Sequence, residues 1–377
     1  MGGVQRRRLH GATLAGLLLA VVTTAAPLAR QPLAFAQRAS LVTSERALSS
    51  SGGEPGELAI AALGDPNDNP EFVQVYVNNV ENLETVNAGC PGDWQDLVYY
   101  LTLQEYRPDI FLVQQISDQA QLDAYTSRLS ADFGETYAGV IAEENPAAMN
   151  SPCGAQKRYQ TNAVIYRTVR FTLLSDPDSS TKRWQSQAHD GTSCVNNTQA
   201  RTKNVKAMLH DEVADRDITV ASIHWPTNAM NGPPCAESNA REATVELRED
   251  GYGGDLLIFA GDANYTETNT SGAYRPWYAG LSGDLGGAHG YRDAIYAGCA
   301  DSGEPIADCL ANNWTIGGSR RIDFVFAQRG DGTMPQMTDS HTVTFDEGDA
   351  ADLEVTGTDR QDRDYSDHRA VRVRVHY

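Results

Sequence analysis

Residues 256–260, LLIFA, run without a polar break and end in Gly261-Asp262-Ala263-Asn264. Such a run reads as a buried strand, so the fold must supply cover for it. Gly261 lets the backbone turn sharply. Asp262 and Asn264 lie two residues apart and are expected to share a face, as alternate residues of an extended chain do. A carboxylate at a strand tip can bind a metal ion or take a proton from water, and the amide can hold that water or an oxyanion. Ordinary surface turns also use Gly, Asp and Asn. The motif therefore gains weight only from other polar strand ends that converge on it.

Residues 1–36 have the pattern of a secretory signal peptide: Arg6, Arg7 and Arg8, an apolar stretch at 12–29, then Ala34-Phe35-Ala36. Thr23, Thr24 and Pro27 interrupt the stretch, and nothing later has the roughly 20 apolar residues of a spanning helix. A secreted, extracellular chain with no stable membrane anchor is expected. Residues 37–69, rich in Ser, Ala, Gly and Glu, read as a flexible leader, which leaves 70–377 as one domain, expected to be a monomer. The six cysteines (Cys90, Cys153, Cys194, Cys235, Cys299 and Cys309) contain no CxxC pair. They suit disulfides in an oxidising compartment better than a zinc site, and Cys299 with Cys309 could close a short loop.

From residue 37 onward 26 basic residues stand against 50 acidic ones, a net charge of −24. Such a surface repels polyanions at long range and disfavours a non-specific grip on nucleic acid. A phosphate ester stays open as a substrate if metal ions and a local basic patch neutralise the site.

Residues 72–77 alternate apolar and polar side chains and read as a first strand ending at Asn78-Asn79; 109–116 is a second, ending in Gln114-Gln115. Helices are expected over 94–106, stopped by Pro108, and over 117–129. Strand, helix, strand at this spacing argues for sheets covered by helices. Residues 162–167 and 170–174 read as a hairpin, while 139–160 and 176–200 look irregular. Strands are expected at 201–209, at 218–223 before His224, at 321–327 and at 370–375; residues 237–248 have helical spacing and 271–298 read as Gly- and Tyr-rich loops. Strands dominate, which favours two packed sheets flanked by helices over a single parallel sheet. Asp323 sits inside an otherwise apolar strand, where burial is costly unless it is paired. Its natural partner is His368, since a carboxylate fixes the tautomer of an imidazole and raises its basicity. A purely structural Asp–His bond is the competing reading.

NVENL at 79–83, LVQQ at 112–115, NAVIYR at 162–167, SIHW at 222–225, GDAN at 261–264, RIDFVF at 321–326 and SDH at 366–368 occur in one order. That order and spacing resemble the endonuclease/exonuclease/phosphatase superfamily, over nearly the whole of residues 72–376. The resemblance implies an α/β fold, a four-layer α/β/β/α sandwich with two mixed, mainly antiparallel sheets and a site at one end. It implies a phosphodiesterase or nuclease acting on a phosphate ester, nucleic acid included, with a divalent metal: Mg²⁺ first, Mn²⁺ or Ca²⁺ as alternatives. By position, Asp262, Asn264, His224, His368 and Asp323 would be catalytic, and Arg201 and Asn162 would bind substrate. Asn79, Gln115 and Asp367 would hold the metal. One residue departs from the pattern: Gln115 stands where the family has its metal-binding Glu, which removes a negative charge from the metal site. Glu81 and Asp118 are nearby acids that could compensate. The alternative reading is a weakened or inactive member that acts as a binding protein.

Overall fold

Two sheets organise the computed structural model, which describes residues 68–80, 97, 98, 101, 104, 106–149, 156–186, 199–227, 232–343 and 366–377. The first contains β1 (Phe72–Asn79), β2 (Ile110–Ile116), β3 (Tyr137–Ile141), β4 (Thr161–Arg167), β12 (Met337–Val343) and β13 (Ala370–His376), in the order β12-β13-β1-β2-β4-β3. The second contains β5 (Phe171–Leu173), β7 (Lys203–Asp211), β8 (Arg216–His224), β9 (Leu256–Asp262), β10 (Arg292–Asp293) and β11 (Asp323–Arg329). Its order is β10-β11-β9-β8-β7-β5, and β6 (Arg183–Gln185) also pairs with β7. Among the described strands, β1 with β2 and β8 with β9 run parallel, and the other pairs are antiparallel.

The unbroken apolar run of β9 follows from its place in the layers. Leu256, Ile258 and Ala260 join Val75, Val77, Leu112, Val220 and Val325 between the sheets, while Leu257 and Phe259 face outward. Outward-facing side chains are covered by helices. Helix α1 (Gln119–Phe133) lays Leu122, Tyr125 and Leu129 on Phe111, Val113 and Ile165. On the other side α2 (Pro233–Glu246) and α3 (Pro276–Leu281) bring Ala236, Ala240, Ala243 and Trp277 against Phe259, Phe324 and Phe326. The result is the expected helix–sheet–sheet–helix sandwich. Helices α4 (Ala294–Ser302) and α5 (Ile306–Asn312) add Ala294, Ile295 and Leu310 to the inner core, and a Cys299–Cys309 disulfide joins them.

At one end the sandwich is closed by charge. Arg167 ends β4 and donates to Asp109 at 2.6 Å and to Glu135 at 2.6 Å. Arg170 donates to the same Asp109 at 2.9 Å and to Asp211, the last residue of β7, at 2.7 Å. Both arginines and both aspartates are fully buried, so each charge depends on its partners. The clamp explains one departure from the sequence reading. Residues 170–174 are not the hairpin partner of 162–167: β5 pairs with β7 in the opposite sheet, and the chain crosses between sheets at the Arg167–Arg170 turn.

Four strands arose where no periodicity announced them: β3 and β6, which overlap segments read as irregular, β10 inside the stretch read as loops, and β12 beyond the expected list. Helices α3 and the start of α4 occupy the stretch read as loops at 271–298. The proposed signal peptide, most of the leader, and the bounds of the 94–106 helix lie outside the described residues. Leu97, Val98 and Leu101 are described and are buried on the outer face of the first sheet.

Candidate active site

The end opposite the charged clamp collects the polar strand tips. Each parallel strand pair ends there. Asn79 closes β1 beside Gln114, and His224 closes β8 in register with Asp262 of β9. Asp323, the first residue of β11, is in register with Asp262 on its other side. His224, Asp262 and Asp323 thus stand side by side on one sheet. His368, just ahead of β13, reaches in from the other sheet, so its pairing with Asp323 spans the sandwich rather than two neighbouring strands.

Asp262 is the hub. Its Oδ2 accepts from Asn79 Nδ2 at 3.3 Å and lies 3.5 Å from His224 Nε2 and 3.9 Å from His368 Nε2. His368 Nδ1 is 2.8 Å from Asp323 Oδ2, and its position is fixed from behind by Ser366, whose hydroxyl accepts the His368 N–H and donates to the Asn79 carbonyl. All six side chains are buried. Burial, and next the Asp323 carboxylate, push the Asp262 carboxyl above the usual carboxylate range. Burial alone would lower His368, but Asp323 outweighs it and holds the imidazole up to about 10. His224 has no carboxylate partner as close, and burial, with Arg201 and His368 nearby, holds it well below the ordinary histidine range. At neutral pH the pocket therefore offers one cationic imidazole, one neutral imidazole and a carboxylate poised to take a proton, an acid–base set matched to hydrolysis.

A folded-state pKa above the free imidazole value stabilises the protein fully below about pH 6.5. That contribution is lost as pH rises through about 10. Imidazole titration followed by NMR should place His368 near that upper value, and Asp323→Asn should return it toward the ordinary range of about 6.5. An unchanged titration in the variant would contradict the pairing.

Two details of the GDAN turn differ from the extended-chain reading. Gly261 does not turn the chain, since β9 continues through Asp262. A Cβ on Gly261 would sit 1.9 Å from the Ile223 carbonyl oxygen, so glycine is required by close approach of β8. Asn264 lies past the strand with φ 53, its N–H donating to Asp262 Oδ1 at 2.7 Å and its Nδ2 to the Trp225 carbonyl at 2.8 Å. It belongs to a local turn that holds Asp262 and does not share a strand face with it.

The other expected site residues divide. Asn79 keeps a buried Oδ1 with no hydrogen-bond partner among the described residues, an oxygen donor available to a cation. Asp367 is half exposed, 3.7 Å from His368 Nε2. Gln115 sits on a bulge of β2 at φ 66, a strained value for a residue with a side chain, and its Oε1 accepts from Gln160 Nε2 at 2.9 Å. Asp118 caps α1, its Oδ1 accepting the Gln121 N–H at 2.9 Å. Glu81 lies outside the described residues. Asn162 is fully buried and spends its Nδ2 on the carbonyls of Arg201 at 2.8 Å and Lys203 at 2.6 Å. It positions the Arg201 backbone, and its buried Oδ1 has no hydrogen-bond partner among the described residues. Arg201 feels the charge of Asp262 and, through its Nε, donates to Gln199 at 2.8 Å.

The sequence reading missed Lys157. It is buried in a short 3₁₀ turn, burial lowers its ammonium to about 7, and it interacts electrostatically with Asp367, Arg201 and His224. Only the Lys157-Arg158 basic pair pointed to it, inside a segment with no period.

A cation in this pocket would find oxygen donors rather than imidazoles. Asp262, Asp323 and His368 place their ligand atoms within 4.8 Å of one another. His368, however, carries its extra proton at neutral pH and has no lone pair to give. Asn79 Oδ1 and the Asp262 carboxylate are hard oxygen donors of the kind a divalent ion takes, Asp367 lies at the rim 3.7 Å from His368 Nε2, and Gln115 adds no charge.

No family model and no curated protein matches the sequence. Solved structures do match. A humanized D. rerio TDP2 carrying 14 mutations aligns with TM-score 0.50 and 16% identity, over 81% of this chain and 99% of that one. An endonuclease/exonuclease/phosphatase from Bacteroides vulgatus aligns with TM-score 0.47 and 14% identity, over 81% and 98%. The human Nocturnin catalytic domain aligns with TM-score 0.48 and 15% identity, over 81% and 94%. At such identities the likeness is one of architecture. The chain shares the fold of that TDP2 structure, an α/β sandwich of the kind the sequence resemblance implied.

Proposed function

We propose that the protein is a divalent-metal-dependent phosphoesterase, a phosphodiesterase or nuclease, that hydrolyses its ester with water oriented and deprotonated at Asp262. The observation that carries this reading is the buried Asp262–His368–Asp323 arrangement, where groups from both sheets meet with pKa values pushed apart. A bound Mg²⁺, Mn²⁺ or Ca²⁺ would supply Lewis-acid stabilisation of the phosphoryl oxygens. Asn79, Asp262 and Asp367 are the residues that would hold it. The remaining work falls to the chain's own groups. Asp262 Oδ2 takes the proton of the attacking water, while Asn264 N–H and Asn79 Nδ2 keep the carboxylate aimed. His368, held protonated by Asp323, and neutral His224 donate hydrogen bonds to phosphoryl oxygens. Arg201 and Lys157 add local positive charge, which an acidic chain needs to admit a phosphate. We propose further that the protein acts outside the cytoplasm. The Cys299–Cys309 disulfide and the signal-peptide pattern support this, and secretion of the full-length chain with cleavage after Ala36, read by N-terminal sequencing, tests it.

A second reading has its own observation. The Gln115 amide is locked to Gln160 in place of an ionised ligand, which favours a protein that binds phosphate esters with little or no turnover. Gln115→Glu separates the two. Gln160 Nε2 can still donate to the new carboxylate, so the substitution keeps the local bond and adds one charge. Mg²⁺ affinity by calorimetry is expected to rise about tenfold or more, with a parallel gain in hydrolysis. Unchanged affinity would mean that Gln115 is not beside the cation.

A further inference from the structure

The chain flanking Asp262 and Asp323 builds a cleft that the hydrolysis described above does not use. Residues 266–275, just after the GDAN turn, and 307–321, ending two residues before Asp323, face each other across about 620 Å³. Asp262 and Asp323 are in register, so the two segments that line the cleft are joined to neighbouring strand tips of the site. Tyr274, Leu310 and Ala311 give it an apolar lining. Its charges are three arginines, Arg275, Arg320 and Arg321, against one acid, Glu267, in a chain whose overall charge is −20.

The three arginines are not equivalent. Arg321 is buried and paired with Asp293 at 2.6 Å and Glu267 at 3.3 Å. Arg275 donates to the Tyr265 hydroxyl at 2.8 Å and the Thr268 carbonyl at 2.9 Å. Arg320 is exposed, and its guanidinium pairs with no described residue. It stands on a short backbone bridge to Ile316, and Ile316 bridges in turn to His368. One available cation is thus carried at the rim of an apolar cleft, on backbone bonded to the site histidine.

We propose that this cleft is a subsite for the part of the ester beyond the scissile phosphate, and that Arg320 receives a second phosphate carried by that part. The class of ligand is an organic phosphodiester with a further terminal phosphate. The reaction rests on the phosphoesterase reading; the binding preference does not.

The test is equilibrium binding of a thymidine dinucleotide, with and without a terminal phosphate at either end, to the full protein in EDTA, where metal-dependent turnover is silent. One terminally phosphorylated form is expected to bind about tenfold tighter than the unphosphorylated one. Arg320→Gln should erase that difference. Arg216→Gln removes the same charge at the far end of β8, where Arg216 pairs with Asp255, and should leave the difference intact. Equal affinity for all forms, no measurable binding of any of them, a preference surviving in Arg320→Gln, or one lost equally in Arg216→Gln would overturn the subsite. A separate hydrolysis assay with Mg²⁺ keeps the readings apart: absent turnover with the preference intact would sink the hydrolase reading and leave the subsite standing.

Discussion

Asp262→Asn is expected to lower phosphodiester turnover by roughly 10²–10⁴-fold, the usual contribution of a positioned general base, without lowering the melting temperature. The two halves of that expectation come from one geometry. Asp262 is buried within reach of a second buried carboxylate, and its ionised form is disfavoured by both burial and Asp323. A group held in that state is costly to the fold and useful to the reaction. The asparagine keeps the oxygen that accepts the Asn264 N–H, loses the charge and the proton-accepting capacity, and gives up only the 3.3 Å bond from Asn79 Nδ2. A melting temperature equal to or above that of the natural protein is therefore expected, as at other sites where activity and stability compete. Thermal unfolding and steady-state kinetics on the same preparation check it. Wild-type turnover in the variant would remove Asp262 from the mechanism.

The largest stability effect is expected at the opposite end. Asp109→Ala leaves Arg167 and Arg170 buried without the carboxylate they share, and should cost about 3–5 kcal/mol, the range for breaking a buried ion pair by removing one partner. Arg167 keeps Glu135 and Arg170 keeps Asp211, so the fold has residual compensation. The Gln74 N–H, which donates to Asp109 at 2.8 Å, also loses its acceptor. Urea unfolding reads the change. A shift under 1 kcal/mol would mean that the remaining acids carry the clamp by themselves.

How much of this could be read beforehand depends on whether burial left a mark in the residue order. Residues 256–260 and 110–116 are buried on both faces, and such strands announce themselves as apolar runs whose polar ends stand out. That is why Asp262, and Asp323 with His368, stood out from the residue order, whereas Asn79 and His224 gained a role only through the resemblance of the ordered motifs. The crossing at Arg170 left no such mark. Residues 170–174 look like the return strand of a hairpin, and only the pairing of Arg170 with Asp109 and Asp211 sends them to the other sheet. Asn264 misled for a related reason: alternation presumes extended backbone, and its positive φ ends the strand two residues early. Lys157 was hidden because a 3₁₀ turn in an aperiodic segment has no pattern, and its burial comes entirely from tertiary packing.

The chain carries an excess of acid while basic groups gather around the site, and on the proposed reading this would favour a small ester over a long polyanion. A surface carrying an excess of acid repels an extended polyanion. Arg201, Lys157, His368 and the arginine-lined cleft concentrate positive charge at one end. A small ester with one or two phosphates meets the attraction without spanning much of the acidic surface. Long duplex DNA spans both.

The most direct test of the central claim is hydrolysis of bis(p-nitrophenyl) phosphate by the mature protein across Mg²⁺, Mn²⁺ and Ca²⁺, with EDTA and Asp262→Asn as blanks. The account predicts metal-dependent release of p-nitrophenol that both blanks abolish and that Gln115→Glu increases. No turnover with any of the three metals, in the natural protein and in Gln115→Glu alike, would contradict it.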